Sequence, residues 1–111
     1  MVDQKSIVLV PFSDLTESKV RPALIVSNPK FNKGEDVIIC ALTSSIKDRP
    51  FSVKISSKNT IARKLKDESQ VRADTITRIS QSLIIKEIDI LDDETFRKVF
   101  DEIIETISPD E

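Results

Sequence analysis

The chain has 111 residues, of which 39% are hydrophobic and 32% are charged, and this composition fits one soluble domain over residues 1–111. No apolar run approaches the roughly 20 residues that a membrane span requires. The first five residues lack the apolar segment of a signal peptide, so we expect a cytoplasmic protein without a membrane partner. The chain has no His, and Cys40 is its single Cys. These absences exclude an internal disulfide, a cysteine zinc site and Ser-His-Asp catalysis, and we expect no metal or cofactor.

The charges are unevenly distributed along the chain. Residues 1–86 hold 15 Lys and Arg against 9 Asp and Glu, whereas residues 87–111 hold 2 against 10. A basic body with an acidic tail indicates a surface for a polyanion, although two solvated faces would give the same counts.

Six extended segments precede the C-terminal region. Short apolar or alternating runs, bounded by polar and turn-forming residues, predict strands at 7–10, 20–26, 36–42, 51–55, 68–79 and 84–90. We expect loops at 11–19 and 27–34, with Gly34 at a positive φ. The polar, basic segment 56–67 is expected to be a loop with at most one short strand or helical turn.

The pattern then changes to a helical period. Apolar residues recur at the spacing of one helix face, at Phe96, Val99, Phe100, Ile103, Ile104 and Ile107. Asp92 is the expected N-cap, and Pro109 follows the end of the helix. Because the strands do not alternate with helices, we predict a mainly β fold, a small antiparallel barrel with an amphipathic C-terminal helix.

Arginines and hydroxyls at strand ends are the best candidates for chemistry. Arg21 and the Thr43-Ser44 pair lie at comparable ends of two apolar strands, so a guanidinium and hydroxyls could face one phosphate. Alternatively, Arg21 pairs with Asp14 or Glu17, and the hydroxyls form only a turn.

A second candidate is the pair Arg72 and Asp74. Residues two apart in a strand share a face, so both charges could project into one cleft, or they could form only a surface ion pair. The cations of the 56–67 loop, Lys58, Arg63, Lys64 and Lys66, are either solvated or bind backbone phosphates.

Four stretches of this sequence, in this order, resemble the MazF/PemK (Kid) family of toxins from bacterial toxin–antitoxin pairs. Residues 7–12 are similar to the family's opening strand, and 19–28, which includes Arg-Pro-Ala-Leu-Ile-Val-Ser-Asn, to its most recognisable stretch. Residues 37–45 resemble the strand that ends in a Thr/Ser site, and 69–84 the late strand. The resemblance covers nearly the whole chain.

The resemblance implies an SH3-like barrel of the CcdB/Kid/MazF type, a homodimer and metal-independent cleavage of single-stranded RNA at short sequences. It also implies a cognate antitoxin that covers the RNA groove. The positions that match the family's catalytic residues are Arg21, Thr43, Arg72 and Asp74. We assign RNA binding to Ser44, Lys19 and Arg78.

The absence of His bears on the mechanism that the resemblance implies, attack of a ribose 2′-OH on the adjacent phosphorus. Asp74 is then the candidate base, and Arg21 or Arg72 would stabilise the charge on the phosphorane.

Departures from the family pattern keep two alternatives open. Lys5-Ser6 replaces the usual Gly-Asp, Thr75 and Thr77 replace the usual Gln and Arg, and there is no Trp or Tyr to stack on a base. A non-catalytic module of the same fold, acting on a protein such as gyrase, is the first alternative. An RNA-binding barrel without toxicity is the second.

Overall fold

The structure is a computed structural model that describes residues 3–13 and 18–110, with side chains from 3 to 11 and from 19 to 110. Six antiparallel strands form one sheet in the order β4-β5-β3-β2-β1-β6, which curls into a half-barrel. The strands are β1 (Ser6–Ser13), β2 (Ser18–Ile25), β3 (Asp36–Thr43), β4 (Ser52–Ile55), β5 (Ser69–Ser80) and β6 (Lys86–Ile90). The helices are α1 (Pro29–Asn32) and α2 (Asp93–Ile107), with 3₁₀ turns at Ser57–Asn59 and Gln81–Leu83. The predicted fold class, a small antiparallel barrel followed by a helix, is confirmed.

The core divides between the two faces of the sheet because successive strand residues point to opposite sides. On the first face, strand residues pack with the loop residue Leu65 and with α2, in the cluster Ile7, Leu24, Cys40, Leu42, Ile55, Leu65, Val71, Leu91, Phe96 and Val99. On the second face, the cluster is Val8, Val10, Ala23, Ile25, Val37 and Ile39. Cys40 is fully buried, and burial raises the pKa of its thiol to about 12, with a further contribution from the charge of Asp74.

Helix α2 begins and ends close to the predicted residues. The Asp92 side chain accepts a hydrogen bond from the Thr95 amide at 2.8 Å, which is the N-cap geometry. Phe96 and Val99 are buried, but Phe100, Ile104 and Ile107 remain 41%, 42% and 65% exposed. The apolar stripe is therefore only partly covered by the described residues. No helix in the described part of the chain is long and apolar enough to cross a membrane.

The β1–β2 hairpin is longer than predicted. Residues 11–19 were expected to form a loop, but pairing continues through Pro11↔Val20 and Phe12↔Lys19 to Ser13↔Ser18. Arg21 therefore lies inside β2, opposite Val10, and not at its loop end. The difference arises because a hairpin ladder needs only backbone pairing and extends beyond the apolar run. Asp14 and Glu17, the alternative partners of Arg21, lie outside the described residues.

Local conformations also differ from expectation in the loops. Residues 29–32 form a helical turn capped by the Asn28 side chain, and Gly34 does not have a positive φ. Lys5, Phe51 and Arg63 adopt left-handed φ values of 81°, 55° and 56°. The 56–67 segment contains the anticipated helical turn at Ser57–Asn59, and Thr60 bridges to Leu91.

Candidate functional site

A pocket of about 580 Å³ opens where the ends of β2 and β3 meet the loop at 64–67 and β6. Its apolar lining comes from Leu9, Val20, Pro22, Leu42, Leu65 and Ile88. Its polar lining comes from Lys19, Arg21, Thr43, Ser44, Lys64, Lys66, Asp67, Ser69 and Lys86. The pocket thus brings together six of the residues that the sequence singled out: Lys19, Arg21, Thr43, Ser44, Lys64 and Lys66.

Arg21 and Thr43 lie on neighbouring antiparallel strands. The printed pairing of the two strands ends at Ala23 and Ala41, and Arg21 and Thr43 each lie two residues beyond these partners, where both line the pocket. The arrangement explains why Arg21 approaches the Thr/Ser end of β3 although it lies within β2. The Thr43 hydroxyl oxygen accepts a hydrogen bond from the Ser45 amide at 3.1 Å, so its proton is available to a phosphate oxygen.

Positive charge predominates around the pocket. Among the residues that the structure describes, five cations line it, Lys19, Arg21, Lys64, Lys66 and Lys86, against one carboxylate, Asp67. Such an excess favours a polyanionic ligand, and Arg21 can bind a phosphate through its planar guanidinium fork. The apolar side chains of the lining offer a surface on which a nucleobase can pack without stacking on an aromatic ring.

Arg72 and Asp74 lie together on β5, beside this pocket rather than in its lining. The Arg72 Nε lies 3.3 Å from Asp74 Oδ1, and Nη2 donates to Oδ2 at 3.4 Å. Arg72 pairs with Ala41, and Ala41 with Ala23, so Arg72 shares the sheet face of Arg21 and Thr43. The buried Arg72 Nε makes no hydrogen bond, so this contact leaves capacity for another acceptor.

Asp74 occupies an irregular part of β5. The register with β3 shifts between Cys40↔Ile76 and Ala41↔Arg72, so Asp74 lies among the extra residues of a bulge. Bulges redirect side chains and occur often beside functional sites.

Arg78 lies apart from the pocket. Its Nε donates to Asp36 Oδ2 at 2.7 Å, and its guanidinium lies 5.4 Å from the centroid of the Phe31 ring. Both partners belong to the segment that enters β3, whereas Thr43 ends β3. The predicted role of Arg78 in RNA binding stays a prediction, at a site other than this pocket.

The sequence reading missed Asp89, which was placed among the alternating residues of a strand. Asp89 is 3% exposed, and its carboxylate accepts hydrogen bonds from the backbone amides of Ala62, Lys64, Leu65 and Ile90 at 2.7 to 3.0 Å. Burial raises the pKa of this carboxyl, but the hydrogen bonds outweigh burial and the net pKa is lowered. The only sequence signal was an Asp between two isoleucines, Ile88 and Ile90, in a strand, where Asp is disfavoured.

In the part of the chain that the structure describes, no group of three His, Cys, Asp or Glu side chains is arranged to hold a metal ion.

Comparison of the fold with solved structures gives matches over almost the entire chain. An endoribonuclease in complex with its cognate antitoxin, from a mycobacterial species, has a TM-score of 0.78 at 19% identity and covers 100% of both chains. MazE–MazF from Deinococcus radiodurans has a TM-score of 0.79 at 20% identity, covering 98% of both chains. The Mycobacterium tuberculosis toxin MazF-mt6 has a TM-score of 0.77 at 17% identity, covering 96% of this chain and 99% of that toxin. These similarities establish the shared fold.

Comparison of the sequence identifies the family. No curated protein matches the chain. A family model described as the PemK-like, MazF-like toxin of type II toxin–antitoxin systems matches residues 3–107. Since this match spans nearly the full length, the chain belongs to the PemK-like, MazF-like toxin family of type II toxin–antitoxin systems.

Proposed function

We propose that this protein is an endoribonuclease toxin that cleaves single-stranded RNA at specific short sequences without a metal ion. The observation that carries the proposal is that Arg21 and Thr43, from neighbouring strands, line one pocket, whose described lining has five cations and one carboxylate. A solved structure of the same fold is an endoribonuclease, which agrees with this assignment.

The proposed reaction is an internal transesterification. The ribose 2′-oxygen attacks the adjacent phosphorus and loses its proton to a base, while the bond from phosphorus to the 5′-oxygen breaks. The leaving 5′-oxygen takes up a proton, so the products are a 2′,3′-cyclic phosphate and a 5′-hydroxyl. Water is not consumed in this step.

Arg21 and Thr43 would act on the phosphate itself. The Arg21 guanidinium would stabilise the negative charge that develops on the equatorial oxygens, and the Thr43 hydroxyl would donate to one of them. Ser44 and Lys19 line the same pocket and would hold the flanking backbone.

The Arg72–Asp74 pair would supply the base. Asp74 contacts Arg72, which pairs with Ala41 on β3, and Ala41 pairs with Ala23 on the strand of Arg21. Its ion pair with Arg72 sets the direction of the carboxylate, and RNA binding would bring the 2′-OH within hydrogen-bond reach.

We further propose that a cognate antitoxin covers the basic pocket and that the toxin acts in the cytoplasm as a homodimer. Two solved relatives include an antitoxin or MazE component. An acidic antitoxin segment would complement the excess of Lys and Arg in the pocket.

The direct test is incubation of the purified protein with single-stranded RNA in EDTA, with product ends identified by sequencing. We expect discrete fragments with 5′-hydroxyl and 2′,3′-cyclic phosphate ends, together with growth arrest on expression. An absence of cleavage together with an absence of growth arrest would contradict the proposal. Full toxicity of an Arg21→Ala variant would instead favour the alternative, a toxin fold that acts on a protein target such as gyrase.

A further inference from the structure

Three of the five described cations of the pocket lie on β6 or on the loop that is hydrogen-bonded to it. Lys64 and Lys66 lie on the loop that follows Thr60, and Lys86 begins β6. Leu65, between the two loop lysines, is 7% exposed and belongs to the first-face core. Because the Leu65 side chain is buried in this core, Lys64 and Lys66 on either side of Leu65 remain exposed at the pocket.

The Asp89 carboxylate holds this loop against β6. Oδ2 accepts from the Lys64 amide at 2.7 Å and from the Leu65 amide at 3.0 Å, and Oδ1 accepts from the Ala62 amide at 3.0 Å. The chain reaches this arrangement through Arg63 at a φ of 56°, a conformation that costs a non-glycine residue energy. The charge-assisted hydrogen bonds to the buried carboxylate offset this cost.

We infer that Asp89 is a positioning residue for RNA binding, because it holds Lys64 and Lys66 in place to bind backbone phosphates beside the reactive one. This inference rests on the proposed function for the identity of the ligand. The role belongs to a buried acidic residue on β6 that lies outside the pocket lining.

The sign of the effect separates positioning from simple electrostatics. Replacing Asp89 with Asn removes a negative charge near the pocket, which by electrostatics alone would strengthen binding of a polyanion. If Asp89 acts through the loop, Asp89→Asn weakens binding instead, since Asn leaves two of the four backbone amides facing an NH₂ group.

The test measures binding of a 2′-O-methyl single-stranded oligonucleotide by fluorescence anisotropy, because a blocked 2′-OH prevents cleavage. We expect Asp89→Asn to weaken binding about tenfold at low salt, the loss of one or two charge-assisted contacts. Lys64→Ala/Lys66→Ala should weaken binding similarly and lower the slope of log affinity against log salt by about 1.4, at 0.7 per phosphate contact. Adding Asp89→Asn to the double lysine variant should change the affinity less than twofold.

Asp92→Ala is the matched control for stability, because it removes the N-cap of α2 without altering the pocket lining. It should leave affinity unchanged at a temperature where every variant is folded. On cleavable RNA, Asp89→Asn should raise KM while kcat stays within about twofold, since Arg21 and Thr43 lie on other strands.

Unchanged or tighter binding by Asp89→Asn would overturn the inference. If Asp89→Asn does not fold, unchanged binding by the double lysine variant would overturn it instead. A wild-type protein that does not bind the oligonucleotide would overturn it too. A wild-type protein that binds but never cleaves RNA would instead contradict the proposed nuclease function and leave the binding comparison decisive for Asp89.

Discussion

Arg21 and Thr43 line one pocket from adjacent antiparallel strands, each two residues beyond the paired residues Ala23 and Ala41. Cross-strand neighbours of this kind have side chains close enough to contact one ligand. The strand pairing next to them therefore limits the separation of a guanidinium and a hydroxyl before any RNA binds, which is the preorganisation that electrostatic catalysis needs.

Removing the guanidinium should abolish most cleavage. We expect Arg21→Ala to lower kcat by about 100- to 1,000-fold, the usual cost of deleting a donor that stabilises a developing oxyanion. Arg21→Lys should also be impaired, because a single ammonium cannot replace a bidentate fork. Cleavage rates on a fixed RNA check this, with Lys30→Ala as a charge-matched control on α1, outside the pocket lining. Equal losses in the control and in Arg21→Ala would show that only net charge matters.

The Thr43 hydroxyl can be tested with substitutions of nearly equal volume. Thr43→Val removes the hydroxyl and should reduce kcat/KM by about tenfold, the worth of one hydrogen bond to a charged phosphate. Thr43→Ser keeps the hydroxyl and should retain most activity. The two variants are compared by initial rates on the same RNA. Equal activity in Val and Ser would assign Thr43 only to its hydrogen bond with the Ser45 amide.

Asp74 offers a test in which stability and activity separate. Its ion pair with Arg72 is partly exposed, so Asp74→Asn should change the free energy of unfolding by less than about 1 kcal/mol. If Asp74 is the base, the same change should lower kcat by about 100-fold or more. Urea unfolding and single-turnover cleavage measure the two quantities. A variant that keeps its kcat would remove Asp74 from the mechanism.

Asp89 should make the free energy of unfolding depend on pH in the acidic range. Because its pKa is lowered in the folded protein, its contribution is fully present above the unfolded value of about 3.9. That contribution is lost as the pH falls through the still lower folded-state pKa. At pH 7, Asp89→Asn should destabilise the protein by about 3 kcal/mol, since buried amides lose their acceptor.

Urea unfolding of wild type and Asp89→Asn between pH 7 and pH 3 measures this dependence. The difference between their free energies of unfolding should stay constant down to about pH 4 and then shrink. A difference that widens at low pH would contradict the assignment. Asp92→Ala, at the start of α2, provides the comparison for a carboxylate that caps a helix.

Several of these residues were identified from the sequence before the fold was known. Arg21 and Thr43 lie at the ends of apolar runs, and such runs can be recognised from the pattern of neighbouring residues in the sequence. The Arg72–Asp74 contact followed from strand alternation, since a spacing of two places both side chains near each other. Their catalytic roles remain predictions.

Other features required contacts that the sequence does not encode locally. Lys64 and Lys66 were expected either to be solvated or to bind backbone phosphates, because nothing near them in sequence indicates what holds them. The partner of the loop, Asp89, is more than 20 residues away and belongs to another strand. Arg78 was assigned to RNA binding with Ser44 and Lys19, but it lies outside their pocket, in an ion pair with Asp36.

The sequence by itself determined the strand and helix order, the apolar core and the capped C-terminal helix, because hydrophobic periodicity and capping residues act over a few neighbouring positions. Only the tertiary structure decided which charged groups share a pocket. Strand register and the buried carboxylate of Asp89 set that arrangement, and both arise from long-range pairing that excludes water from polar groups otherwise left without partners.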